Sequence, residues 1–251
     1  MFAPTAIFCY TMSLILDNLN KIRYCLRAAA QRSGRDPEQV RLVAVTKYAS
    51  LEQTREVIDS GLIQEIGESR IQDAQAKKQA LGELAGRVRW RLIGHLQSNK
   101  ARKAVEIFDT VDALDSLHTA EALERALAAT GKLMPVLIQV KLSSSERQSG
   151  ISPEDLEALL PGLKAYPHLK AEGLMAIAPQ VPSPEEARPH FRRMRELFDR
   201  FFSGRPEAQL SMGMSGDYEV AVEEGATLVR LGSVVFSTDG SKDPKVQEGT
   251  A

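Results

Sequence analysis

Residues 42–67 read LVAVTKYASLEQTREVIDSGLIQEIG. Leu42–Thr46 is a short apolar run, residues 51–60 have helical spacing, and Gln64–Gly67 is a second short apolar run. Strand, helix and strand in this order predict a βαβ unit with a right-handed crossover. The turn after the first strand lacks GxGxxG, the fingerprint of a dinucleotide-binding open sheet.

The same rhythm continues to the end of the chain. Further strands are predicted at Arg89–Ile93, Asp109–Ala113, Val136–Val140, Ala171–Ile177, Gln209–Met212 and Thr227–Leu231, making eight in all. Further helices are predicted over roughly 69–84, 98–106, 116–130, 153–164, 184–203 and 216–224. Within 184–203, Phe191, Met194, Phe198 and Phe201 form one stripe, and Gly225 reads as the glycine that ends the last helix. Ahead of the first strand, Ile15, Leu19, Ile22, Leu26 and Ala29 form a stripe on a helix from Ser13, its presumed N-cap, to about Gly34. Eight strands alternating with helices predict an α/β fold, a single (β/α)8 TIM-type barrel with an extra N-terminal helix. The expected organisation is an unstructured extension over 1–11, the barrel domain over 12–237 and a polar, frayed tail over 238–251.

Composition narrows the function. The 251 residues carry 32 Lys and Arg against 33 Asp and Glu, a net charge of −1. Phosphate neutralisation needs a basic surplus, so no nucleic-acid partner is expected. Aromatic residues are 6%, too few for base-stacking platforms. Cys9 and Cys25 are the only cysteines, which fits a reducing, cytoplasmic compartment. His95, His118, His168 and His190 are scattered, so no metal is expected. The apolar stretch before Leu16 is too short to span a bilayer and has no Lys or Arg ahead of it. It reads either as a cleaved signal or as an extension before a natural start at Met12, and no membrane partner is expected.

In a barrel, chemistry gathers at the C-terminal ends of the strands. Val43, Val45 and Lys47 share one strand face, and apolar walls there would desolvate the Lys47 amine and make it nucleophilic toward an aldehyde. Lys141, ending strand five, is a rival on the same argument. The loop Ser211-Met212-Gly213-Met214-Ser215-Gly216 and the pair Gly232-Ser233 would supply backbone donors for a phosphate, with Ser215 as N-cap of the following helix. Arg230 sits inside an apolar strand and must be paired, for example with Glu68, or face a ligand such as a ring nitrogen. Arg89, Arg91, Lys100, Arg102 and Lys103 read as a solvated basic face. A lysine, a phosphate cradle and an arginine together suit pyridoxal 5′-phosphate.

These residues carry a family resemblance. Leu42–Lys47, Gly67-Glu-Ser-Arg70, Trp90–Lys100 (WRLIGHLQSNK), Gly173-Leu-Met175, Leu210–Asp217 (LSMGMSGD) and Gly225–Gly232 (GATLVRLG) resemble, in order, the pyridoxal phosphate homeostasis protein family, small relatives of the alanine racemase barrel. The resemblance implies pyridoxal 5′-phosphate as cofactor and Lys47 as the Schiff-base lysine. It implies Ser211, Met212, Ser215, Gly232 and Ser233 at the phosphate, Arg230 at the pyridine nitrogen, and Ser69, Asn99 and Met175 in the same cofactor-binding set. It further implies a cytoplasmic, monomeric protein that buffers the cofactor or delivers it transiently to apo-enzymes, without established turnover. The chain departs from the pattern at Ser69 and Lys141, where the family usually has Asn, and at Gln148, where it often has Lys.

An amino-acid racemase is the alternative. It needs two bases on opposite faces of the bound substrate. Tyr48, next in sequence to Lys47, is expected to point to the other side of the strand. The chain ends about twenty residues after strand eight, too soon for the second domain that supplies the second base in the racemases. An arginine at the pyridine nitrogen also weakens the ring as an electron sink.

Overall fold

The computed structural model describes residues 13–142 and 149–238. The expected extension over 1–11, the tail beyond residue 238 and Gln148 lie outside the described residues. Eight parallel strands close into a barrel in sequence order: β1 (Arg41–Val45), β2 (Glu65–Glu68), β3 (Arg89–Leu92), β4 (Thr110–Leu114), β5 (Met134–Val140), β6 (Leu169–Ala176), β7 (Gln209–Ser211) and β8 (Leu228–Leu231). The last strand pairs with the first, Val43 opposite Arg230 and Ala44 opposite Leu231. All eight expected strands form, with ends shifted by a residue or two.

The helices are α1 (Leu14–Arg32), α2 (Leu51–Asp59), α3 (Ile71–Leu81), α4 (Ala101–Ile107), α5 (Leu117–Ala128), α6 (Pro153–Leu163), α7 (Arg188–Phe202), α8 (Tyr218–Glu223) and α9 (Ser233–Phe236). None of the described helices is long and apolar enough to cross a membrane. The predicted stripe of α1 is buried, and the helix packs on α2, α8 and α9. It thereby fills the place in the outer ring that a full helix after β8 would take. The Asn18 amide ties it there by donating to the carbonyls of Val235 (3.1 Å) and Ser237 (3.0 Å). Ser13 occupies the N-cap position, but its hydroxyl makes no capping bond. In α7 the buried face uses Phe202, while Phe201 is half-buried.

Gly225 ends α8 as expected, at φ +100°. Its N–H donates to the Val222 carbonyl (3.0 Å), and the Ala226 N–H donates to that of Ala221 (2.9 Å). This is the double closure that a left-handed glycine permits.

The barrel interior is in two parts. Val43, Ala113, Leu137, Met175 and Leu228 form an apolar cluster inside the ring, with Ile177 against it. Toward the N-terminal ends of the strands the filling is charged. Arg91 donates to Asp112 through Nε (2.7 Å) and Nη2 (2.9 Å), to Glu65 (2.6 Å) and to the Gln209 side chain (3.0 Å). Arg41 holds the other Glu65 oxygen (2.8 Å), and the Gln209 amide donates to Glu172 (3.0 Å). Arg91 was expected on a solvated face, and this is a correction: it is 1% exposed, because its side of β3 faces into the ring, whereas Arg89, two residues earlier on the same side, is exposed at the start of the strand. Burial opposes its charge, but Asp112 and Glu65 hold the guanidinium above its ordinary range. Removing one partner of such a group leaves buried charge uncompensated. Arg91→Met is therefore expected to lower the unfolding free energy by about 3–5 kcal/mol in chemical denaturation; a loss no larger than that of a surface substitution, about 0.5 kcal/mol, would contradict the assignment.

Candidate functional site

The C-terminal mouth is built from the turns that follow the strands. β1 ends at Val45, and residues 46–49 form a tight turn closed by the Ala49 N–H on the Thr46 carbonyl (2.9 Å). Lys47 lies in this turn and is exposed, so the expected desolvation by apolar walls is not found. Strand alternation has already stopped there, which also corrects the expectation for Tyr48. Instead of pointing away, the Tyr48 ring lies 4.7 Å from the Lys47 amine, in cation–π contact, and is itself 83% exposed.

Beneath the turn, Thr46 is held at every polar atom. Its N–H donates to the Gly67 carbonyl (3.1 Å), and its hydroxyl donates to Glu68 Oε1 (2.6 Å). The Lys77 amine, from α3, donates to the Thr46 carbonyl and to Glu68 Oε1 (2.8 Å). Glu68 therefore does not pair with Arg230, contrary to one of the sequence alternatives. Gly67 turns into the ring beside Val43, so Glu68, next along β2, turns outward toward the helix layer.

Arg230 is 4% exposed, and among the described residues no carboxylate forms an ion pair with it. It donates to Ser211 Oγ (2.7 Å) and to the Ala176 carbonyl (2.9 Å). Burial pushes its guanidinium down to about 10, against the pull of Asp112 and Asp217. It keeps its charge at neutral pH and has N–H donors to spare.

The loop between β7 and α8 is narrow because Gly213 sits at φ +92°, where a Cβ would meet Ala221 Cβ at 2.6 Å and Tyr218 Cα at 3.1 Å. Asp217 Oδ1 accepts the Met214 N–H (2.6 Å), and the Asp217 N–H returns to the Met214 carbonyl (3.1 Å). That turn delays α8 to Tyr218, so Ser215 is not its N-cap; Asp217 holds the N-cap position. Burial raises the Asp217 carboxyl above its usual range, with Met214 and Arg230 acting the other way. Of the predicted loop residues, Ser211 is buried with its hydroxyl on Arg230, and Met212 is buried in the layer between sheet and helices. Ser215 is half-buried and Gly216 exposed. Gly232 lies against β1, where a Cβ would come 3.2 Å from the Val45 carbonyl, and Ser233 opens α9.

β7, β8 and β1 thus bring the Ser211–Gly216 loop, Arg230, Gly232, Ser233 and the Lys47 turn to one sector of the mouth. Met175 lies in the apolar cluster within the ring. Ser69, half-buried, stands in the adjoining sector, its carbonyl packed on Gly94. Asn99 is not brought to the same sector. It is exposed in a cleft after β3 and β4 with His95, Ser98, Asp115 and His118, across the ring from β7 and β8. His95 contacts Asp115 (3.1 Å) there, and His118 contacts Ser98 (3.0 Å). Lys141 follows β5, half-buried, away from the β1 turn. The sequence reading missed Thr46, Lys77 and Asp217. The available signal for Lys77 was its place on the side of α3 that buries Ile71, Ala74 and Leu81.

Comparison with known proteins gives the family and the fold. Residues 18–239 match the family model of the alanine racemase N-terminal domain. The pyridoxal phosphate homeostasis protein of Pseudomonas aeruginosa is 41% identical over 234 residues, 92% of this chain and 97% of that protein. PipY of Synechococcus elongatus, solved with PLP bound, is 36% identical with a TM-score of 0.76, covering 88% of this chain and 99% of that one. An alanine racemase of Clostridium difficile shares the fold at 14% identity, TM-score 0.66, covering 91% of this chain and 57% of that one. The chain belongs to the pyridoxal phosphate homeostasis protein family, on the alanine racemase N-terminal barrel.

Proposed function

We propose that this chain binds pyridoxal 5′-phosphate at the β7–β8–β1 sector and acts in its intracellular homeostasis, holding the cofactor and releasing it to apo-enzymes rather than turning over amino acids. The observation that carries this reading is Arg230: a buried, charged guanidinium with no carboxylate partner among the described residues, between a glycine loop and an exposed lysine. When bound, the cofactor supplies an aldehyde that condenses with a primary amine, releasing water, and a pyridine ring that withdraws electrons. The residues present fit it. Lys47 offers the amine. Backbone N–H groups of Ser215, Gly216 and the start of α9 offer donors for the phosphate. Arg230, keeping its proton, would offer an N–H donor to the ring nitrogen, and a nitrogen held by such a donor would stay without a proton of its own, which would limit electron withdrawal. This favours storage over turnover.

Low-rate racemisation is the second reading, and one contact favours it: the Tyr48 ring beside the Lys47 amine. The two groups share one side of the turn, whereas racemisation needs bases on opposite faces. The proposal extends to a cytoplasmic protein acting as a single chain.

On mixing with pyridoxal 5′-phosphate, a near-visible absorption band is expected that is absent in Lys47→Ala; a band unchanged in that variant would overturn the role of Lys47. Steady-state assays with L- and D-alanine should show turnover far below roughly 1 per second, and rates at or above that figure would replace storage with catalysis. Gly213→Ala forces a side chain into a left-handed turn and is expected to cost about 1–3 kcal/mol of stability together with cofactor affinity. Equal stability and affinity in that variant would remove the close-approach argument for the loop.

A further inference from the structure

We propose that Lys77, through Glu68 and Thr46, is a positioning residue that sets the reach of Lys47 toward the cofactor. This rests on the reading of Lys47 as the cofactor's amine. The Lys47 side chain is exposed and lies against the equally exposed Tyr48 ring, a weak frame. Its position must come from the backbone beneath it.

That backbone is held with unusual completeness for a strand end. Thr46, immediately before Lys47, is 0% exposed. Its N–H is fixed on Gly67, its hydroxyl on Glu68, and its carbonyl takes both the Ala49 N–H and the Lys77 amine. Glu68 is also 0% exposed and Lys77 is 15% exposed, so the pair is largely shielded from water. A salt bridge at such a site contributes little net stability compared with an apolar pair of similar shape, but it fixes geometry. Both of its members reach Thr46, one at the side chain and one at the carbonyl. Glu68 makes both contacts through Oε1, and its buried Oε2 has no hydrogen-bond partner. Among the described residues Lys77 is the one cation paired with this carboxylate, whose second oxygen is unsatisfied, an arrangement that an apolar helix contact would avoid if packing alone were served. The result is a fully bonded anchor under an exposed side chain: strand β1, strand β2 and helix α3 meet at the residue that precedes the amine.

The test separates reach from binding. Pyridoxal 5′-phosphate reports covalent capture, by stopped-flow absorbance and by borohydride trapping at Lys47. Pyridoxamine 5′-phosphate has the same phosphate and ring but no aldehyde, so it reports the cradle and Arg230 alone. The variant is Glu68→Gln with Lys77→Met, which leaves no unpaired buried charge. Capture by the double variant should slow at least about tenfold, since small misplacements of a reacting group are costly, while pyridoxamine 5′-phosphate affinity stays within about twofold. Thr46→Val, which removes one hydroxyl, should show the same split at smaller amplitude, and it decides the matter if the double variant does not fold. Lys77→Arg, which keeps the cation and a donor, should recover part of the capture rate. Capture at the wild-type rate, or parallel losses for both ligands, would overturn the positioning role. Failure of wild-type protein to trap the cofactor on Lys47 would instead overturn the underlying reading, and the two failures are told apart by the wild-type control.

Discussion

The parallel pairing of β1 with β8 is the contact on which the site depends. Val43 opposite Arg230 and Ala44 opposite Leu231 put the first strand of the barrel beside the last. Nearly two hundred residues separate Lys47 from Gly232 in sequence, yet Gly232 packs on the Val45 carbonyl, two residues before the lysine. An open sheet would leave these segments on opposite edges. Closure removes both edges and makes one sector from the two ends of the fold.

Closure needs a ring filling that holds its register, and this chain uses two kinds. The apolar cluster around Val43, Leu137 and Met175 excludes water within the barrel. The Arg91–Asp112–Glu65 network ties β2, β3 and β4 together through their inward side chains. Ion pairs of this kind specify geometry more than they stabilise it. Arg230 differs in that its local partners are a hydroxyl and a carbonyl, both neutral. A charge held without a counter-charge is costly, and that cost is offset when an acceptor arrives from the mouth. Under Lys47 the charges are paired instead: Glu68 and Lys77 bridge each other and together secure Thr46.

Much of this was legible in the sequence because it depends on local pattern. Apolar runs alternating with helical stripes gave the eight strands, and Gly225 marked the end of α8. The glycine-bearing loop at 211–216 and the arginine within β8 were visible as misfits to their surroundings. What the sequence hid was direction and partner. Arg91 lies in a basic-looking stretch, and only the barrel shows that its side of β3 faces inward. Strand alternation, carried one turn too far, mispredicted Lys47 and Tyr48, because the strand stops at Val45 and the turn obeys different geometry. Ser215 has good capping chemistry, but Asp217 captures the Met214 N–H first and moves the helix start. Glu68 and Arg230 are both charged residues in strands, and pairing them is reasonable until their opposite faces are known. Asn99 shares a motif with the mouth but lies after β3, across the ring.

The central claim is that the β7–β8–β1 sector holds pyridoxal 5′-phosphate with Lys47 as its amine. A crystal structure of the protein grown with the cofactor tests it most directly. The account predicts electron density continuous with the Lys47 side chain, the phosphate against residues 213–216 and 232–233, and the ring nitrogen facing Arg230. Density attached to Lys141, or a phosphate seated in the His95 and His118 cleft with the Lys47 amine left free, would contradict it.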